Sequence, residues 1–97
     1  MTDRELLELA AKAAGELHLV PYKEEWLLEP EAWNPILRSE DALELAVRLC
    51  ILVDIGISET SCASFGIESF CEQHDEDALA ATRRAIVRAA AAIGSKL

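Results

Sequence analysis

Apolar residues along this chain of 97 recur at helical spacing in three stretches and alternate with polar ones in the segments between. The longest helical stretch runs from Asp75 to Gly94. Leu79, Ile86, Ala90 and Ile93 share one face of it, and Ala78, Thr82, Ala85, Ala89 and Ala92 form an adjoining strip of small side chains that lets a sheet or second helix approach closely. Asp75, Glu76 and Asp77 suit the positive end of the helix dipole, and Gly94 stands where a helix stop is expected. A first helix is predicted from Thr2, whose Thr-x-x-Glu spacing to Glu5 forms a capping box, to Gly15, with Leu6, Leu9, Ala10 and Ala13 on one face. A middle helix follows Ser39 as N-cap and the acidic pair Glu40 and Asp41. Leu43, Ala46, Val47 and Cys50 are its expected inward face, with Leu45 and Leu49 adjacent.

Between the helices the period changes to two. Leu17 to Tyr22 alternates like an edge strand, a position that suits Pro21, and Trp26 to Leu28 is read as its returning partner. A helical turn over 23–29 is the rival reading, because Glu, Lys and Leu are good helix formers. Pro35 sets Asn34 in extended geometry within the connection 31–38. Ile51, Val53, Ile55 and Ile57 alternate as a third strand, Ser58 to Ser61 is turn material, and Ala63 to Cys71 returns with Phe65, Ile67, Ser69 and Cys71 on one side. The order is therefore α-β-β-α-β-β-α. Short hairpins cannot hide their apolar faces alone, so the expectation is a single α+β domain over 1–97, with three helices packed on a small antiparallel sheet.

Charge adds the next constraint. Eighteen acidic against nine basic residues give a net charge of −9. Such a surface opposes direct nucleic-acid or anionic-membrane binding and favours a basic protein partner; its blander role is to keep a small protein soluble. No segment approaches the roughly 18 apolar residues of a membrane span, and the charged N-terminus lacks a signal core. Three cysteines do not close a disulfide framework, so the expected compartment is a reducing cytosol.

Chemistry-bearing groups are few. Cys62, Cys71 and His74 have Cys-x2-His spacing at one end and suit zinc by donor type, but Cys50 or His18 would have to come from afar as a fourth ligand. A nucleophilic cysteine would need a base and an orienting group, and His18 and His74 are the sole histidines. The expectation is therefore no catalytic residue, no metal and no cofactor, with a cysteine- or zinc-dependent enzyme as the outlying alternative. Arg83, Arg84 and Arg88 gather three basic residues on the last helix, either as a patch for an acidic partner or as internal partners of the excess carboxylates. The acidic groups Glu24/Glu25/Glu29/Glu31, Glu40/Asp41/Glu44 and Glu72/Asp75/Glu76/Asp77 can line a surface or simply cap helices. Trp26 and Trp33 flank the first group and act as interface anchors if exposed and as core if buried.

MTDRELLELAAKAAG (1–15), WNP (33–35) with DALELAVRL (41–49), and ATRRAIVRAAAAIG (81–94) resemble a family of small phage and prophage proteins, mostly of unknown function. The resemblance covers both ends and the centre and carries no catalytic motif. Segments 16–30 and 55–75 depart from the family pattern, and so does the cysteine-bearing stretch 62–74. Variable segments of this kind are where specificity resides. The resemblance implies a non-enzymatic inhibitor of host defence, an anti-CRISPR protein of the type I class, that binds a component of the complex through its basic surface as a monomer or dimer. The alternative is an accessory interaction domain that aids phage replication, recombination or gene control. Glu24, Glu25, Trp26 and Glu29 are the expected contacts, with Arg84 and Arg88 as a second patch.

Overall fold

A computed structural model describes residues 2–16, 33–64 and 67–97. The expected hairpin over 17–30 lies outside them. The described elements are α1 (Asp3–Glu16), α2 (Ser39–Arg48), β1 (Leu52–Ile55), β2 (Glu59–Ala63), β3 (Phe70–Gln73) and α3 (Ala78–Ser95). The fold is α+β; the described residues form three helices and an antiparallel sheet of order β1-β2-β3.

The capping box forms at α1: Glu5 N–H donates to Thr2 Oγ1 at 3.2 Å, and the Glu5 carboxylate accepts from Thr2. Asp77, the last residue of the expected acidic opening, is the N-cap of α3 and accepts from Ala80 N–H at 3.0 Å. Ser39, by contrast, does not cap α2. The N-cap is Arg38 without a side-chain bond, and the Ser39 hydroxyl receives Arg83 from α3 at 2.9 Å instead. The turn before α2 is held by Asn34, whose side-chain oxygen accepts from Ile36 and Leu37 N–H while its own N–H donates to Asp41 at 2.8 Å.

The core is built largely of alanine. Leu6, Ala10, Ala13 and Ala14 of α1 meet Ala85, Ile86, Val87, Ala89, Ala90 and Ala91 of α3, with Ala42, Leu45, Ala46 and Leu49 of α2, Ile51 and Cys62 completing it. Side chains this short bring helix axes close, and one such close approach is at Gly94. That residue lies within α3 rather than after it, and a Cβ there would stand 2.0 Å from the carbonyl oxygen of Leu9. Its role is close packing, not helix termination. Leu79, expected inward with Ile86 and Ala90, is exposed at the start of α3.

The inward face of α2 also differs from expectation. Ala42, Leu45, Ala46 and Leu49 are buried, whereas Leu43, Val47 and Cys50 are exposed. The face turned to the core pairs two alanines with two leucines, so Ala42 and Ala46 give close contact while Leu45 and Leu49 fill the space beside them. The helix ends in a Schellman arrangement, with Cys50 N–H donating to Val47 O and Ile51 N–H to Ala46 O, and this places Cys50 at φ 57°. An L-residue in this left-handed region costs roughly 1–2 kcal/mol against glycine. Cys50→Gly is therefore expected to raise stability by about 1 kcal/mol, read as a shifted denaturation midpoint at unchanged slope.

The second sheet segment contains three strands where two were expected. Gly56 N–H donates to Glu59 O at 2.8 Å, so the turn is tight and Glu59, Thr60 and Ser61, expected as turn, already belong to β2. The expected long strand from Ala63 to Cys71 is not continuous: β2 ends at Ala63, Ile67 N–H donates to Ser64 O at 3.1 Å, and pairing resumes at Phe70, while Phe65 and Gly66 lie outside the described residues. Register sets Cys62 opposite Val53 and Phe70, and Thr60 opposite Ile55 and Glu72.

Candidate interaction surface

Glu24, Glu25, Trp26 and Glu29 lie outside the described residues. Trp33 is partly buried and packs on the core. The remaining expected contacts, Arg84 and Arg88, turn inward to carboxylates of the same chain. Arg84 Nη1 donates to Asp3 Oδ1 at 2.7 Å and its Nε lies 4.0 Å from Glu72. Arg88 donates to Glu72 Oε2 at 2.5 Å and to the Cys71 carbonyl at 3.2 Å, and its guanidinium lies 5.0 Å from the centroid of the Phe70 ring. Arg83 donates to the Ile36 carbonyl at 2.8 Å as well as to Ser39. All three arginines therefore tie α3 to its neighbours.

Several carboxylates point the other way. Glu40, Glu44, Asp54, Asp75, Glu76 and Asp77 are exposed. Asp75 to Asp77 border an open cleft of about 420 Å³ with Glu72, His74 and Arg84. Asp75 adopts φ 49°, which an Asp side chain tolerates better than most, and the turn closes with Asp77 N–H donating to His74 O at 3.0 Å.

Cys62, Cys71 and His74 do not converge. Cys62 points into the core, while Cys71, opposite Ser61, points to the outer face of the sheet. His74 is occupied on both ring nitrogens. Nδ1 lies 3.2 Å from the Ile57 carbonyl, which can only accept, so Nδ1 carries the proton and Nε2 accepts from the Thr60 hydroxyl at 2.8 Å. Thr60 in turn accepts from Thr82 of α3 at 2.8 Å. A hydroxyl beside an oriented imidazole has the form of an activated nucleophile, but Thr60 is fully buried, and this chain of bonds joins sheet to helix. Among the described residues no group of His, Cys, Asp and Glu is placed to hold a metal ion, and no helix is long and apolar enough to cross a membrane.

The thiols differ in environment. The hydrogen bond from Cys71 to Glu59, 2.8 Å long, raises its pKa, helped by partial desolvation and the charges of Glu59 and Glu72 and opposed by Arg88. Burial pushes Cys62 up to about 11 from an ordinary 9.0. Between those values the unfolded chain has released the Cys62 proton and the folded protein has not, so stability falls as pH rises. Denaturant titrations at pH 8 to 11 are expected to show a loss approaching ~1.4 kcal/mol per pH unit at its steepest, and a Cys62→Ala variant is expected to lose that component.

Two features were not expected from the sequence. One is the set of exposed apolar side chains Leu43, Val47, Leu52, Ile55, Ile57 and Leu79. The other is a groove of about 500 Å³ between α1, β3 and α3, lined by Leu6, Leu9, Ile67, Phe70 and Ala91 beneath the Arg88 stem. Comparison with protein-family models, with curated proteins and with solved structures finds no match for this chain.

Proposed function

We propose that this chain is a non-enzymatic binding protein of phage or prophage type that acts in the bacterial cytoplasm by engaging a basic surface of a host-defence complex, with type I CRISPR effectors as the target class. The observation that supports this reading is the division of labour among its charges. Arg83, Arg84 and Arg88 are committed within the chain, while Glu40, Glu44, Asp54, Asp75, Glu76 and Asp77 are left facing solvent on a molecule of net charge −9. With these three arginines used internally, the net charge of −9 makes the outward field acidic, and such a field steers association with a positive groove. The phage resemblance supplies the class of target. Glu24, Glu25, Trp26 and Glu29 remain the first contacts to test, joined by the acidic turn at Asp75–Asp77.

The test is phage plaquing on a host with an active type I CRISPR system, with and without this protein, and on the same host lacking the system. Restored plaques only in the active host support inhibition, and pull-down of the purified complex then identifies the bound component. Reversing Glu24 and Glu25 to lysine is expected to reduce restoration without moving the melting temperature. No restoration across the type I subtypes overturns the host-defence reading and favours an accessory interaction protein.

A further inference from the structure

The two edges of the sheet are unequally guarded. Natural edge strands are blunted by shortness, charged side chains (lysine above all), proline, bulges or a covering element, because unpaired N–H and C=O groups template another strand. The β3 edge has such cover: Arg88 reaches from α3 to the Cys71 carbonyl and to Glu72, and lies over Phe70. Among the described residues β1 has no strand on its other side. Its sequence, Leu-Val-Asp-Ile, contains neither lysine nor proline, and its guards are its shortness and the one charge of Asp54.

Register assigns the faces of β1. Val53 and Ile55 stand opposite the buried Cys62 and Thr60, on the helix side, whereas Leu52 and Asp54 stand opposite Ala63 and Ser61 on the outer side. Ile55 is nonetheless 63% exposed and Leu52 69% exposed. Among the described residues the helix layer stops short of this strand, leaving room for the inward side chains of one more.

We propose that β1 is a docking edge for an extended segment of a partner protein, which adds as a strand beside it with apolar residues against Val53 and Ile55 and a lysine or arginine against Asp54. Main-chain pairing would supply the attachment, and side chains on alternating positions the selectivity. Charge selects the occupant. A second copy of this chain would bring −9 against −9, whereas a segment alternating apolar and basic residues meets Asp54 and the acidic surface favourably. This deepens the binding function proposed above and rests on it only for the sign of the partner's charge.

The probe is a nine-residue peptide alternating valine and lysine, titrated into the isotope-labelled full chain with amide shifts as readout. A peptide of equal charge interrupted by proline is the comparator. The expected result is saturable shifts centred on Leu52–Ile55, tighter binding of the uninterrupted peptide, and about fivefold weaker binding on Asp54→Lys, the scale of one cross-strand charge pair. Equal binding of both peptides with shifts centred on Asp75–Asp77 would overturn the proposal in favour of plain charge attraction. Absence of binding would also overturn it. So would amides of β1 already protected from exchange in the free protein, through residues 17–32 of the same chain or through a second copy, which sedimentation would separate. None of these outcomes depends on plaque restoration, so the edge and the host-defence function stand or fall separately.

Discussion

Gly94→Ala is expected to lower the melting temperature by about 10–20 °C, the equivalent of ~2–3 kcal/mol in a domain of this size. Helix propensity alone predicts the opposite sign, since alanine is favoured over glycine in a helix interior by roughly 1 kcal/mol. The clash outweighs that gain. The new methyl would stand 2.0 Å from the Leu9 carbonyl oxygen and 2.8 Å from its carbon, and these are backbone atoms that no rotamer change can move aside. α1 and α3 must separate, and the contacts of Ala10, Ala13, Ala89 and Ala90 loosen with them. Gly56→Ala is the comparator, because its Cβ would meet only the Glu59 carbonyl at 3.2 Å. A Gly94→Ala protein that melts within 2 °C of the parent would show that the helices do not approach as described.

The second large effect is expected at Thr60. Thr60→Val keeps the shape and removes the hydroxyl that bonds both His74 and Thr82 at 2.8 Å. His74 is buried, so its Nε2 loses its donor away from water, and the expected cost is about 2 kcal/mol. Thr82→Val should cost about half as much or less, because Thr82 is only half-buried and the Thr60–His74 bond survives. A double-mutant cycle should show the two losses to be less than additive, since each variant breaks the same bond. Equal stability of Thr60→Val and the parent would remove this chain of bonds from the account of how the sheet is held to α3.

The helices were legible because alanine and leucine at helical spacing, the Thr2–Glu5 box and the acidic opening of α3 are local signals. The strands were less so. The inward positions of β2 are Thr60 and Cys62, while Leu52 and Ile55 of β1 are exposed, so hydrophobicity no longer marks the inside. In α2 two apolar faces compete, and only contact with α3 decides for the one that carries Ala42, Leu45, Ala46 and Leu49. Arg84 and Arg88 were visible as a cluster, but their partners Asp3 and Glu72 lie far off in sequence. Several residues of the connecting segments and helix ends also prove structural. Asn34 holds Asp41, Arg83 clamps the turn at Ile36, and Gly94 admits Leu9, so those residues account for a scaffold and not for a target.

The pairing of α1 with α3 also bears on how the protein comes into being. Arg84 meets Asp3 across 81 residues, and Gly94 meets Leu9 further along both helices, so the two run in the same direction and join segments far apart in sequence. An emerging chain cannot complete its core until the last helix has left the ribosome. Loop closure on that scale slows folding relative to a bundle of neighbouring helices. Meanwhile α1 would wait with its alanine face unburied, and a chain cut short before Gly94 would lack the surface that α1 needs.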